Sequence, residues 1–379
     1  MVRKLKSRDT KGVVNGIEVA VADAFRDTNQ LNDMKEGRAI GMIYSRRGCP
    51  VQHPAENRLA ELEHAEKALV FCSGMAAVST TLSTLLKKGD HVILTDDGNV
   101  TIRGYFSTFL PKFGVEVTKV PIDDMKNIRE YARGNTALFF SEFPTNPFLR
   151  VIDLKAVADF AKEKGITTII DSTFASPFNI NPLDYGIDLV LHSATKYLGG
   201  HHDLTAGAVA GDARLMDKVT DYRNMMGTNL APFDSYLLNR SIYTFELTME
   251  HRNQKAMEIA KYLDRHPKVE RVWYPGCESH PDYELAKRQL RGFGGVIPFE
   301  LKASEEKTGR FIDELAIPYL AHNFGGCTST IEQHVLFTHY GDRAEAEKRG
   351  IKGNLIRYSV GFEDIKDIIG DFENAFRSI

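Results

Sequence analysis

From about residue 57 to about residue 215, short apolar runs alternate with stretches of helical period. Runs at 68–71, 91–94, 115–120, 136–140, 167–170 and 189–191 are short and continuously apolar, and they read as buried strands. Between them, 56–67 reads as a helix with Leu59, Leu62 and Ala65 on one face. An apolar helix opens at Ser73-Gly74-Met75 and runs toward residue 86, and 155–164 forms another. This alternation predicts a mostly parallel sheet with helices on both faces. Ligands of such sheets bind beyond the carboxyl ends of the strands.

Two of those ends carry chemistry. The run 166–170 ends in Asp171, and the next strand leads through His192 and Ser193 to Thr195 and Lys196, with Gly199 and Gly200 following. Alone, Asp171 reads as a helix N-cap and Lys196 as a solvated loop residue. Together, among small and hydroxyl side chains, they suit pyridoxal 5'-phosphate (PLP). That cofactor needs an amine for a Schiff base, a carboxylate to keep its ring nitrogen protonated, and donors around its phosphate.

The 379 residues suffice for a large core and two domains, and a net charge of −3 gives no general attraction to nucleic acid or anionic membrane. No apolar run has membrane-spanning length. The basic N-terminal segment 1–9 lacks an apolar signal core and reads as a solvated arm. Cys49, Cys72, Cys277 and Cys327 form no CxxC pair. Buried inert thiols and a reducing cytoplasm are therefore expected, with no metal. From about residue 245 the pattern changes. A long helix at 246–265 precedes strand candidates at 269–273, 295–301 and 355–360 and helices at 305–315 and 364–376, a smaller α+β unit. No repeat or low-complexity segment interrupts the chain.

Several residues could complete a cofactor site. Free amides at the helix start after Ser73 would bind phosphate, and Gly74 would allow close approach. Ser193 and Thr195 add hydroxyls. Asn146, in Pro144-Thr145-Asn146-Pro147, ends another strand and could donate to the ring oxygen. Tyr44 and Arg46 together would clamp a phosphate, although arginine-rich turns are common on surfaces.

These segments together resemble the Cys/Met-metabolism family of PLP-dependent enzymes, which includes cystathionine γ-synthase, the cystathionine lyases, methionine γ-lyase and O-acetylhomoserine sulfhydrylase. The matching motifs run along most of the chain: Tyr44-Ser45-Arg46, 72–77, 89–92, Pro144 to Pro147, Asp171 to Phe174, Ser193 to Tyr197, 294–297 and 356–361. The resemblance implies PLP-dependent transferase fold type I, with a large domain at 56–245 around a seven-stranded sheet, a C-terminal domain at 246–379, and an arm at 1–55 that serves a neighbouring subunit. Lys196 would be the Schiff-base lysine and proton shuttle, and Asp171 would pair with the ring nitrogen. Ser73, Gly74, Met75, Thr173, Ser193 and Thr195 would form the cofactor pocket, joined by Tyr44 and Arg46 of a neighbouring subunit. The active unit would then be at least a homodimer and usually a tetramer. Arg357 would grip the substrate α-carboxylate, with Ser329, Asn146 and Thr328 beside the substrate.

Three departures matter. Asn99 stands where the family carries a tyrosine that stacks on the ring and protonates leaving groups, and asparagine does neither. Tyr105 is a candidate replacement for the stacking. Thr328 stands where a glutamate is common before the serine. His201-His202-Asp203 replaces a run with a small residue at its centre, and reads as structural or as part of the cofactor's surroundings rather than as a metal site. The expected activity is γ-elimination or γ-replacement on a homoserine-derived or sulfur-containing amino acid. β-Elimination, amino transfer, a non-sulfur γ-substituted substrate, and a catalytically silent PLP-binding regulator remain open.

Overall fold

The computed structural model describes residues 13–14 and 16–379. The expected solvated arm at 1–9 lies outside the described residues. Seven strands form the larger sheet: β1 (Lys67–Phe71), β2 (His91–Thr95), β3 (Glu116–Val120), β4 (Thr136–Glu142), β5 (Thr167–Asp171), β6 (Leu189–His192) and β7 (Gly207–Gly211). Their order is β1-β7-β6-β5-β4-β2-β3. Strands β2 to β6 pair in parallel, and β7 runs antiparallel to both its neighbours. A seven-stranded, mostly parallel sheet covered by helices is the architecture that the family resemblance implies.

Strand β7 is absent from the sequence reading, because Gly207-Ala208-Val209-Ala210-Gly211 has no β-branched run. Its small residues answer to crowding. A Cβ at Gly207 would lie 2.2 Å from the Ser73 carbonyl oxygen, and one at Gly211 would lie 2.5 Å from Leu189 Cδ2. The expected helix at 56–67 occupies His53–Glu63 instead, because His64 takes a left-handed conformation (φ 56°) and ends it. The helices Gly74–Leu85 and Leu154–Lys164 cover the sheet as expected. Cys49 is buried as expected, but Cys72 is exposed, because it sits in the turn between β1 and the next helix.

The second sheet has five strands, β8 (Val269–Val272), β9 (Val296–Leu301), β10 (Tyr319–Leu320), β11 (Thr330–Gln333) and β12 (Leu355–Ser359), in the order β10-β11-β12-β9-β8. It is antiparallel apart from the short β10–β11 pair. Helix Phe245–Arg265 joins the halves and buries Phe245, Met249, Ala256, Ile259, Ala260 and Leu263. One apolar cluster runs from Ala68, Val70 and Ala208 of the first sheet to Val296, Phe299 and Ile356 of the second. No helix among the described residues is long and apolar enough to cross a membrane.

Candidate active site

The parallel register aligns the ends of β4 and β5, so that Glu142 lies opposite Asp171. Asp171 is buried, and its Oδ1 accepts from the Thr173 amide at 3.0 Å and from the Thr173 hydroxyl. That hydroxyl in turn accepts from the Ser193 amide at 2.8 Å, tying the end of β5 to the turn after β6. Burial raises the Asp171 carboxyl above its ordinary value, against the pull of the Thr173 bonds and His192. Burial and the neighbouring Asp171 push Glu142 well above the carboxylate range. Two facing buried carboxyls suit a protonated ring nitrogen brought against one of them.

The phosphate-binding features fit the same group. Ser73 caps helix Gly74–Leu85 by accepting from Ala76 N at 3.0 Å, so the helix amides open toward the β6 turn. A Cβ at Gly74 would lie 3.1 Å from Ser193 Oγ, so glycine keeps this cradle open. Met75, with Ser73 and Ala76, lines an apolar cavity. Thr195 Oγ1 is engaged with Ala206, donating to its carbonyl at 3.1 Å and accepting from its amide at 3.0 Å.

Lys196 follows β6, and its amine donates to Asn323 Oδ1. It stands 5.0 Å from the centre of the Phe324 ring, and the Arg357 guanidinium lies 5.6 Å from the same ring. Burial, helped by Arg357 and opposed by Glu332, lowers the Lys196 amine from 10.5 to about 8. Arg357 is buried on β12 and donates to Asn146 Oδ1 at 3.2 Å. Across the antiparallel pair Glu332 stands opposite Arg357, and Glu332 Oε2 lies 3.1 Å from Arg357 Nη2. Glu332 also accepts from His322 at 2.6 Å and His334 at 2.7 Å. Burial opposes its ionisation, but Arg357 and the two histidines hold it far below the usual carboxylate range.

Lys196, Arg357 and Asn146 are thus linked around Phe324, while Asp171 and Thr173 lie at the adjoining strand end. Other expected site residues are committed elsewhere. Asn99 caps helix Val100–Gly104, accepting from Thr101 N and Ile102 N, and its own amide donates to Glu142. Ser329 is fully buried; its hydroxyl donates to Glu363 at 2.8 Å and accepts from Tyr358 and Gly361. Thr328 is exposed. Tyr105 stacks on Phe109, with centroids 4.7 Å apart. Tyr44 and Arg46 pack on each other, and Arg46 donates to the Asn224 carbonyl. No described hydrogen bond joins either of them to Asp171 or Lys196. The sequence reading missed Glu142, Asn323, Phe324 and Glu332. Only Glu142 carried a signal, as the acidic end of an apolar strand.

Among the described residues no group of three or more His, Cys, Asp or Glu is arranged to hold a metal. The sequence pattern described as "Cys/Met metabolism PLP-dependent enzyme" matches residues 1–377. The chain is 40% identical over 357 residues to a protein named cystathionine gamma-synthase 1, chloroplastic, of Arabidopsis thaliana, covering 94% of this chain but 63% of that one. It therefore spans under two thirds of that relative's length. To the cystathionine gamma-lyase of Bacillus subtilis it is 38% identical, covering 99% of this chain and all of that one. A crystal structure of cystathionine gamma-lyase from Lactobacillus plantarum complexed with L-serine superposes with a TM-score of 0.89 at 36% identity, covering 96% of this chain and 93% of the other. The chain belongs to the Cys/Met metabolism family of PLP-dependent enzymes.

Proposed function

We propose that this protein is a lyase or transferase that performs γ-elimination or γ-replacement on a homoserine-derived or sulfur-containing amino acid. The observation that carries the reading is the placing of Lys196 and Arg357 at 5.0 and 5.6 Å from the centre of one ring, Phe324. An amino acid whose α-carboxylate met the Arg357 fork would bring its α-carbon toward the lysine amine. When bound, PLP supplies an electron sink for charge developing at that carbon. Asp171 would hold the ring nitrogen protonated, and the amides after Ser73, with Ser193, would hold the phosphate. With its amine lowered to about 8, Lys196 is partly neutral near physiological pH and able to take the α-proton and, once it has handed that proton back to the bound substrate and cofactor, the β-proton. Glu332 keeps Arg357 aimed, and Asn146 would bridge cofactor and substrate.

Asn99 is engaged as a helix cap and is not an acid. Its position favours a γ-substituent that leaves as a weak base, such as an acyl ester. Tyr44 and Arg46 would serve the phosphate of a second copy. Arg46 lies beside the exposed Met225 and Met226, near an apolar cavity of about 910 Å³ lined by Met75, Phe109, Phe113 and Met226, a face that a second copy would cover. Residues 16–55 would then be an inter-subunit arm.

The test is incubation of the PLP-loaded chain with O-acetylhomoserine, O-succinylhomoserine, cystathionine and methionine singly, with identification of the keto acid. A four-carbon 2-oxo acid with ammonia, lost together with the visible absorbance band in Lys196→Ala, is the expected result. Pyruvate alone, or turnover retained in Lys196→Ala, refutes the reading.

A further inference from the structure

The Lys196 amine meets a second residue pair that takes no part in the scheme above. Asn323 accepts from that amine through Oδ1 and donates through Nδ2 to His202 Nδ1 at 2.8 Å. His202 Nε2 lies 3.4 Å from the Thr328 carbonyl, which places the proton of the neutral ring on Nε2 and leaves Nδ1 as an acceptor. The amide therefore stands between two partners of opposite need. Turned over, it would set an N–H against the ammonium and an oxygen against the ring lone pair.

His202 is held in a built seat. Its φ is 61°, a conformation uncommon outside glycine that persists where surroundings impose it. Its ring lies over Gly326, where a Cβ would come within 2.0 Å of the imidazole. Arg252 Nη2 donates to the Gly326 carbonyl at 3.0 Å, and Cys327 Sγ reaches the Gly200 carbonyl at 3.3 Å, so the two loops are tied together. At Gly325 (φ 83°) the loop presses on the lysine backbone, with a Cβ position 3.0 Å from Lys196 C.

We propose that Asn323 and His202 are positioning residues for the free Lys196 amine: Asn323 holds the amine through its oxygen, and His202 fixes which way the amide faces. The proposal rests on Lys196 being the reacting amine. The charged groups facing Lys196 are Arg357 from β12 and Glu332 from β11; those facing His202 are Lys196, Arg252 from helix Phe245–Arg265 and Asp203 from its own loop. Burial lowers His202 below its ordinary value, so its ring is neutral where the enzyme would work. A hydrogen bond accepted from the charged amine favours that form, so Asn323 counteracts part of the effect of burial on Lys196.

The experiment measures how trace acetylation of Lys196 by acetic anhydride depends on pH in the full-length, cofactor-stripped chain, read by mass spectrometry of its peptide. Asn323→Leu removes the acceptor without opening space, and its labelling midpoint falls by about one pH unit, roughly a tenfold gain in labelling below the midpoint. His202→Ala shifts the midpoint the same way. His202→Asn, which tolerates positive φ and sets Oδ1 near the place of Nδ1, keeps the wild-type midpoint. The acid limb of kcat in the loaded variants, where bound substrate has released the Lys196 amine, moves with the labelling. Unshifted midpoints in Asn323→Leu and His202→Ala overturn the proposal, and so does a His202→Asn midpoint matching that of His202→Ala. Failure of wild-type chain to form a Lys196-dependent visible band with PLP sinks instead the reading beneath it.

Discussion

Glu332→Gln is the sharpest single perturbation of the site. The Glu332 and Arg357 side chains are 1% and 5% exposed, and their closest atoms lie 3.1 Å apart. At an effective dielectric constant of about 20, that separation corresponds to roughly 5 kcal/mol of attraction, much of it offset by desolvation. Removing one partner leaves the other charge buried and unmatched, which costs about 3–5 kcal/mol. Glutamine keeps one acceptor oxygen but turns an NH2 toward Arg357 or a histidine, so a loss of about 3 kcal/mol is expected. Denaturant unfolding of the cofactor-free chain at pH 7 measures it, and Glu332→Gln combined with Arg357→Met should recover most of the loss. Because the folded carboxyl is held below its ordinary 4.5, its stabilisation is complete above that value and is lost as the pH falls toward the folded one. The wild-type and variant curves therefore converge in acid. KM for the amino-acid substrate rises at least tenfold, by about 1.4 kcal/mol or more, while the visible band persists. Stability within about 0.5 kcal/mol of wild type with an unchanged KM would refute the idea that this carboxylate aims Arg357.

Gly207→Ala places a methyl 2.2 Å from the Ser73 carbonyl oxygen, a backbone atom that cannot swing aside. Overpacking of about 1–3 kcal/mol should displace the helix start and weaken PLP affinity about tenfold, measured by absorbance titration. Lys196 is lowered from 10.5 to about 8 in the folded chain, so its buried charge destabilises the apoprotein fully below pH 8. That destabilisation fades as the pH rises toward 10.5. Lys196→Met should accordingly melt above the wild-type apoprotein at pH 7, and the gap should close by pH 10.5; a constant gap contradicts the assigned cause.

The strands rich in Val, Ile and Phe were legible because burial on both faces writes itself as a continuous apolar run. Strand β7 was not, since its residues are chosen by what they must clear. Asp171 and Lys196 stood out as polar ends of apolar strands. Glu332 and Asn323 did not, because their meaning comes from contacts between separate segments: Glu332 matters through a partner across a strand pair, and Asn323 through a lysine in the turn after β6. Asn99 shows the limit of a substitution read by position. Its amide serves the first turn of a five-residue helix, a use that no comparison of residue types would suggest.

The apolar cluster that passes from Val70 and Ala208 to Phe299 and Ile356 without a break carries a practical corollary. Anyone cutting the gene between the two sheets, to express each half alone or to graft one onto a foreign host, would lay bare an oily seam on both fragments. Inclusion bodies, rescued only by co-expression of the missing half, are the outcome to plan for.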